Sequence, residues 1–337
     1  MKNLLLTFFL MVCLFLSCIS TPVGIVSSGP YTENFVAAWN CADTLYCSFE
    51  EKSVDWQRCY SKHMYFCNQA ENDTELLQVL LGIMAELRDQ QIQIIANSQM
   101  FQAYEKTFFV NIALPLIPAY VAPYGGLTWE ENYFGYSSPS GGLSYIQIRR
   151  MDEGFPEEEF FQVIDSVFSG SEYLILDLRA NSGQNGSGSE KAVAGCFSNM
   201  NWTGWYIRER NGEGLSSPEP YILEPNDSVF FNGQVLLLAG EFCSESTELF
   251  VSAMQALPEV AILGEHTRGC VGVVQETLLP NQWVLVFPYR VYYSSEMQAM
   301  EYYGVKPDIL ITSSYEDFSQ GIDPVLEAAF DIAGVNK

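Results

Sequence analysis

Two hydroxyl side chains, Ser244 and Ser246, lie in a stretch whose pattern could place a nucleophile or bind an anion. A continuous apolar run ends at Ala239, Gly240 permits a sharp turn, and helical spacing of apolar residues follows from Glu248. In α/β enzymes a strand–turn–helix unit of this kind exposes one side chain at the turn, where the N–H groups of the helix point. Since every strand–helix unit contains such a turn, the pattern is compatible with catalysis and with a purely structural role.

The elements that would position this turn have the pattern of a mostly parallel sheet covered by helices. Residues 235–239 are apolar throughout, as is typical of a strand buried on both faces, and residues 173–178 predict a second such strand. Alternation over residues 143–148 predicts a third strand, and residues 324–333 predict a last helix. We interpret residues 203–232 as mostly loop. The sequence therefore predicts an α/β fold.

The first 20 residues predict export from the cytoplasm. They contain Lys2, continue with an uninterrupted apolar stretch and end in small residues, which is typical of a secretory signal peptide. Cleavage before Thr21 fits this pattern, and so does a bacterial lipobox that would leave Cys18 as a lipidated N-terminus. No later stretch reaches ~18 uninterrupted apolar residues, so we expect no transmembrane span. The protein is therefore expected to be secreted, periplasmic or held at a membrane by a lipid.

The mature chain is expected to contain three parts. Residues 21–96 have amphipathic helical spacing and several cysteines, which predicts a Cys-rich helical cap domain. Residues 97–140 are rich in aromatic residues, proline and glycine, and they predict a connecting segment of short strands and loops. Residues 141–337 form the predicted α/β core.

The cysteines of the predicted cap domain suggest disulfide bonds in an oxidising compartment. Four of them lie close together in the sequence: Cys41, Cys47, Cys59 and Cys67. The spacing contains no CxxC pair, which disfavours a metal site, so we predict two disulfides. Export likewise favours a pair between Cys243 and Cys270. We expect neither a cofactor nor a bound metal.

The charge balance argues against nucleic acid as a partner. The 337 residues carry 16 basic and 41 acidic side chains, a formal net charge of −25. Phosphate backbones are bound by lysine and arginine, and an anionic membrane surface would repel such a chain.

Several short motifs lie along the chain: LRD at 87–89, LILDLRANSG at 174–183, GEHTRG at 264–269, EYYGVKPDI at 301–309 and GIDPVLEAAF at 321–330. In this order they resemble the C-terminal-processing, or tail-specific, proteases on their tricorn-like side. The resemblance implies a ClpP/crotonase-like α/β core with an N-terminal helical cap domain. It also implies a serine peptidase whose partner is a peptide or an unfolded protein segment, bound across the end of the sheet.

The catalytic positions of that family are substituted in this chain. The resemblance places the nucleophile at Glu245, whose acyl product would be a labile anhydride rather than an ester. The general-base histidine falls on Gln91, an amide with no useful proton affinity, and the alternative base lysine falls on Cys270. The late acidic position keeps its residue type, as Glu301. Because nucleophile and base act as a unit, these substitutions remove essentially all of the triad's contribution.

The turn also carries expectations for binding. The resemblance assigns oxyanion or substrate contacts to the backbone at Gly183, Gln184 and Gly240, with Gln184 standing where the family has a second glycine. Glu245 would begin a helix, so we predict that its carboxylate accepts backbone N–H bonds there and is ionised and stabilising.

Two functions are compatible with these residues. The first is a catalytically degenerate peptidase, a pseudoprotease, that binds peptide or a protein partner. The alternative is an active serine endopeptidase in a shifted register, with Ser244 or Ser246 as nucleophile and His266 of the GEHTRG motif as base. A thiol nucleophile at Cys243 or Cys270 is a further alternative.

Overall fold

The computed structural model describes residues 30–183, 188–210 and 214–334. The predicted signal peptide with Cys18, and also Gln184, lie outside the described residues. No helix within these ranges combines the length and the apolar character that crossing a bilayer requires. The helices are α1 (Pro30–Leu45), α2 (Trp56–Cys67), α3 (Asp73–Ala85), α4 (Ile117–Val121), α5 (Glu157–Gln162), α6 (Ser189–Gly195), α7 (Ser246–Gln255), α8 (Tyr315–Ser319) and α9 (Pro324–Ile332).

The strands of the described residues form three sheets. They are β1 (Gln93–Ala96), β2 (Gln99–Gln102), β3 (Thr128–Glu130), β4 (Phe134–Tyr136), β5 (Leu143–Ile148), β6 (Tyr173–Asp177), β7 (Trp202–Glu209), β8 (Glu219–Leu223), β9 (Gln234–Ala239), β10 (Val260–Gly264), β11 (Val274–Leu278), β12 (Val284–Pro288), β13 (Arg290–Ser294) and β14 (Ile309–Leu310).

The central sheet has the strand order β14-β10-β9-β6-β5-β4-β3. Strands β5, β6, β9, β10 and β14 pair in parallel, and β3 and β4 add an antiparallel edge from within the predicted connecting segment. Alternate residues of the apolar strand β9 enter two cores. Leu237 packs with α7 residues on one face, while Leu236 and Leu238 pack with α9 residues on the other. The predicted α/β fold is confirmed.

A buried arginine ties the central sheet to its surroundings. The guanidinium of Arg179 is fully buried and lies between Asp177 at the end of β6 and Asp323 at the start of α9. The Nη2–Oδ2 distance to Asp177 is 2.9 Å, and the Nη1–Oδ1 distance to Asp323 is 2.8 Å. Arg179 also donates to the carbonyl of Asn111 at 2.9 Å. The LILDLRANSG motif therefore fixes the turn after β6 through an ion-pair network.

The N-terminal helices pack on a sheet that combines two distant parts of the chain. This sheet has the order β11-β12-β1-β2, so it joins residues 93–102 with residues 274–288. Side chains of α1 and α3, such as Phe35 and Leu80, share one cluster with Leu285 and Phe287 of β12. The helical region is thus completed by β11 and β12, which follow β10 of the central sheet in the sequence.

The prediction that residues 203–232 are mostly loop missed two strands. They contain β8 and most of β7, which form the third sheet in the order β13-β7-β8. Gly204 interrupts the strand pattern because it packs tightly, and a Cβ there would lie 2.2 Å from Leu223 Cδ1. The pairing with β13 is far away in the sequence, so no local pattern announces it.

The predicted disulfides are not found. All seven cysteines of the described residues are free thiols, including Cys243 and Cys270. Cys47 packs with Val291 and Tyr293 in one cluster, whereas the other three cysteines of the N-terminal helices belong to another. Closeness in sequence therefore does not bring these four thiols together as two pairs.

Candidate active site

The turn between β9 and α7, residues 240–245, is here called the elbow. It ends at Glu245, which has φ 51° and ψ −126°, a conformation that residues other than glycine rarely adopt. Two contacts hold it: the Glu245 N–H donates to the Cys270 carbonyl at 2.9 Å, and Gly183 packs against Ser244. A Cβ at Gly183, where φ is +68°, would lie 2.1 Å from the Ser244 carbonyl oxygen. The elbow therefore presents Glu245 at the position where a nucleophile is expected.

Glu248, on the first turn of α7, fixes the loop 265–270 beside the elbow. Its Oε1 accepts hydrogen bonds from the Thr267 hydroxyl and from the Gly269 N–H at 2.8 Å. Its Oε2 accepts from the Cys270 N–H at 2.7 Å. Burial raises the pKa of this carboxyl to about 7, although these donors favour the charged form. Glu248 thus holds the 265–270 loop against the first turn of α7.

The side chain of Glu245 does not cap α7. It makes no hydrogen bond to the backbone at the helix start, and it has neither a hydrogen bond nor an ion pair with another described residue. Burial raises its pKa, and the positive charge of Arg268 opposes this only in part. The prediction of a stabilising, capped carboxylate is therefore wrong. A capping side chain requires an extended backbone at its own residue, and Glu245 has a positive φ instead.

Gln91 lies against the chain that follows Cys270. Its Nε2 donates to the Gly272 carbonyl at 3.3 Å, and its N–H donates to Oδ1 of Asp89 at 2.9 Å. Its Oε1 is buried without a hydrogen-bond partner among the described residues. An amide therefore occupies the place where the family resemblance expects an imidazole.

Sequence reasoning missed Lys52, a buried lysine that contacts two acidic residues. Its Nζ lies 3.0 Å from Asp89 Oδ2 and 2.9 Å from Glu301 Oε1, and it donates to the Tyr46 hydroxyl at 2.7 Å. The second oxygen of Glu301 accepts the N–H of Val271 at 3.3 Å. No sequence signal identifies this lysine, because it lies in a polar stretch without a motif.

The cluster holds one ammonium between two carboxyl groups. Burial opposes a charge on Lys52, but the Asp89 and Glu301 carboxylates outweigh burial and raise the pKa of the lysine. Burial and then Asp89 raise the pKa of Glu301 to about 8, and Lys52 opposes this. The acidic groups therefore keep Lys52 charged, while burial raises the pKa of Glu301 above its ordinary value.

The two thiols near the elbow are buried and protonated. Burial raises the pKa of Cys243 to about 12, and its Sγ donates to the Leu178 carbonyl at 3.2 Å. Burial, followed by the charge of Glu301, raises the pKa of Cys270 well above its usual range. Neither thiol has the lowered pKa that a reactive cysteine requires.

The structure separates the residues of the shifted-register alternative. Ser244 is buried, and its hydroxyl donates to the Ser182 carbonyl. Ser246 is the first residue of α7 and lines a cavity together with Glu245. His266 is exposed and lines a different cavity, with Lys306 and other residues. His266 therefore forms no hydrogen bond with either serine among the residues that the structure describes.

The cavity at Glu245 and Ser246 has a volume of about 360 Å³. Its wall is largely apolar and comes from β7, β8, β13, α7 and the residues after the 265–270 loop. The apolar lining consists of Trp205, Ile207, Tyr221, Leu249, Val271, Val273 and Tyr292.

The glycines to which the family resemblance assigns oxyanion or substrate contacts, Gly183 and Gly240, are closely packed by neighbouring residues. Gly240 is covered by Asn111, since a Cβ at Gly240 would lie 2.0 Å from Asn111 Oδ1. Asn111 Nδ2 in turn donates to the Ala239 carbonyl at 3.0 Å. The N–H of Gly183 donates to Asn181 Oδ1 at 3.0 Å, and Gln184 lies outside the described residues. Gly183 and Gly240 thus have close-packing roles here.

Comparison with known families matches residues 142–311 to peptidase family S41. The chain belongs to this family. This S41 member is 28% identical over 212 residues to a protein of Sulfurisphaera tokodaii assigned as a tricorn-like protease C-terminal subunit. The alignment covers 61% of the chain and 23% of that relative, so the chain spans about a quarter of the relative's length. The predicted tricorn-like, tail-specific protease membership is confirmed.

Solved structures extend the likeness to the N-terminal helices. A protein of Parabacteroides merdae assigned to the peptidases superposes with a TM-score of 0.81 at 24% identity, covering 91% of this S41 chain and 97% of its own. Mature CPAF superposes with a TM-score of 0.66 at 12% identity, covering 90% and 96% of the two chains. These structures show that the fold is shared.

Proposed function

We propose that this S41 member no longer cleaves peptides and instead binds a peptide or an unfolded protein segment at the elbow. The observation that carries the proposal is the side chain at the strained turn, which is the carboxylate of Glu245. A carboxylate attacking a peptide bond would form an anhydride rather than the ester of a serine acyl-enzyme. Retention of a costly positive φ at this residue is consistent with continued use of the site for binding.

The surroundings of Gln91 and Glu301 support the loss of catalysis. The amide at position 91, which lies against Gly272, offers no proton acceptor of useful basicity. Glu301, which in the family resemblance would assist an imidazole, is held by Lys52 instead. The hydroxyl, base and orienting carboxylate of a serine peptidase are therefore not assembled among the described residues around Glu245.

Ser246 defines the competing proposal of an active serine endopeptidase. Its position in the cavity beside Glu245 favours it over Ser244, whose hydroxyl is bonded to Ser182. It would need a base, and His266 lines another cavity. The binding function is therefore better supported.

The test combines hydrolysis, labelling and binding on the purified chain. We expect no cleavage of casein, and no adduct with a fluorophosphonate probe in mass-spectrometric mapping, while unstructured casein fragments bind. Ser246→Ala and Ser244→Ala serve as matched controls. Hydrolysis or labelling that disappears in either variant would overturn the proposal in favour of the serine endopeptidase.

We also propose that binding takes place outside the cytoplasm, because residues 1–20 have the pattern of a signal peptide. Fractionation of expressing cells tests export. Labelling with radioactive palmitate, compared between the native chain and Cys18→Ser, distinguishes a lipid anchor from ordinary cleavage.

A further inference from the structure

The cavity beside the elbow contains the carboxylate of Glu245. Glu245 lines it, is partly buried, and has neither a hydrogen bond nor an ion pair with any other residue that the structure describes. Arg268, the cation that acts on it electrostatically, holds its guanidinium 3.5 Å from the centre of the Phe108 ring. A partly desolvated carboxylate without a hydrogen-bond donor is unfavourable, and a cationic ligand would satisfy it.

The other charged residues that line the cavity are already engaged. Arg290 forms an ion pair with Glu209, and the Nζ of Lys191 lies 4.8 Å from the centre of the Tyr221 ring. Glu190 accepts a hydrogen bond from the Gly188 N–H. Lys191 shows that the aromatic wall of this cavity already accommodates one ammonium group.

We propose that the cavity receives a lysine or arginine side chain of the bound peptide, with the cationic group at the Glu245 carboxylate. This inference rests on the proposed binding function and specifies its ligand. The methylene stem of such a side chain would lie along the apolar wall, which includes Trp205, Ile207 and Leu249. A volume of about 360 Å³ accommodates one long side chain of this kind.

The position of Glu245 makes the preference specific to this chain. The elbow directs one side chain to the cavity, and a serine or alanine there would leave the wall apolar without a charge. The net charge of −25 adds a general attraction for cationic peptides, so the test must separate the local carboxylate from the overall field.

The experiment measures calorimetric affinities of blocked, otherwise uncharged peptides with one guest residue. The guests are arginine, its neutral isostere citrulline, lysine, its apolar isostere norleucine, and glutamate. We expect arginine and lysine to bind about 10-fold more tightly than their isosteres, as a charge-assisted hydrogen bond provides. Glu245→Gln should reduce that ratio to near one. Glu259→Gln changes the net charge equally at an exposed residue away from the cavity and should keep the ratio.

Each outcome decides between the two proposals. The cationic specificity would be overturned by any of three results: equal affinities for arginine and citrulline, tightest binding of norleucine or glutamate, or an affinity ratio unchanged in Glu245→Gln. Each of these results would leave the proposal of peptide binding intact. If Glu259→Gln lowers the affinity ratio as much as Glu245→Gln does, the preference comes from the overall charge. This result would also overturn the cationic specificity of the cavity. The absence of binding for every guest and for casein fragments would overturn the binding function itself. Circular dichroism of both variants confirms that they are folded.

Discussion

At the scale of single residues, Lys52 determines what Glu301 can do. In a serine peptidase of this family an acidic residue would serve the catalytic base, but here Glu301 Oε1 is 2.9 Å from the Lys52 ammonium. Asp89, next to the position of the missing histidine, contacts the same ammonium. The cluster therefore links the N-terminal helical region to the core through Lys52, Asp89 and Glu301.

Restoring both lost residues should recover chemistry where neither alone does. We expect the double variant Glu245→Ser with Gln91→His to react weakly with a fluorophosphonate probe, because nucleophile and base act as a unit. The single variants should remain unlabelled, and mass spectrometry should place the adduct at position 245. If a single variant is labelled as strongly as the double variant, the nucleophile and the base do not act as a unit here, and the prediction is contradicted.

A second prediction at this scale concerns the strain at Glu245. A positive φ costs about 1–3 kcal/mol for a residue with a side chain, and replacement by glycine removes this cost. Glycine also makes the unfolded chain more flexible, which offsets part of the gain in the free energy of unfolding. We expect Glu245→Gly to increase the free energy of unfolding by about 1 kcal/mol in urea titration. Ala256→Gly, at the C-cap of α7 with φ −72°, relieves no positive φ and should not increase it. A loss of stability in both variants would contradict the strain argument.

At the scale of elements, the helical region depends on apolar packing rather than on covalent cross-links. Helices α1 to α3 bury their apolar faces against β1 and β12, and Trp39 stacks on Trp56 with ring centres 6.2 Å apart. Burial raises the pKa of Cys67 to about 11, which keeps this thiol protonated and slow to oxidise at neutral pH. The four thiols act as small apolar side chains in these clusters.

Thiol titration of the denatured, unreduced protein checks this finding. We expect Cys41, Cys47, Cys59 and Cys67 all to react, because all four are free thiols in the structure. Peptide mapping assigns the modified positions. Two disulfides among these residues would show that oxidation rearranges the packing around Cys47.

At the scale of the whole molecule, acidic groups outnumber basic ones, and some of them are buried. Glu248 and Glu301 lie in the interior, where burial raises their pKa values to about 7 and about 8 from an ordinary value of 4.5. The folded protein therefore holds protons that the unfolded chain releases. The stabilising contribution of these protons is complete below pH 4.5, decreases as the pH rises, and is lost above the folded-state pKa values.

The free energy of unfolding should consequently fall between pH 5 and pH 8. Glu301→Gln removes one of the groups responsible, so we expect a smaller decrease over this range than in the native chain. Glu316→Gln has the same charge change at an exposed residue of α8 and should keep the native slope. Urea titrations at several pH values provide the comparison, and equal slopes in all three proteins would exclude Glu301 as a cause.

Features that depend on local pattern could be predicted from the sequence. Apolar runs predicted β6 and β9, since strands covered by helices on both faces carry apolar residues throughout. The motifs around Asp177 and Asp323 predicted the family, and in the structure their side chains fix the turns after β6 and before α9. Glycine at 183 marked a turn too close to the elbow to hold a Cβ.

The tertiary structure alone decided the contacts between residues distant in sequence and the degree of burial around charges. Lys52 reaches Glu301, 249 positions away, and β7 pairs with β13, so no local pattern could announce either contact. A helix-capping role for Glu245 was a reasonable expectation from its position, but the positive φ imposed by the neighbouring loops turned its carboxylate to an apolar cavity. Desolvation depends on everything packed around a group, and only the folded chain specifies those neighbours.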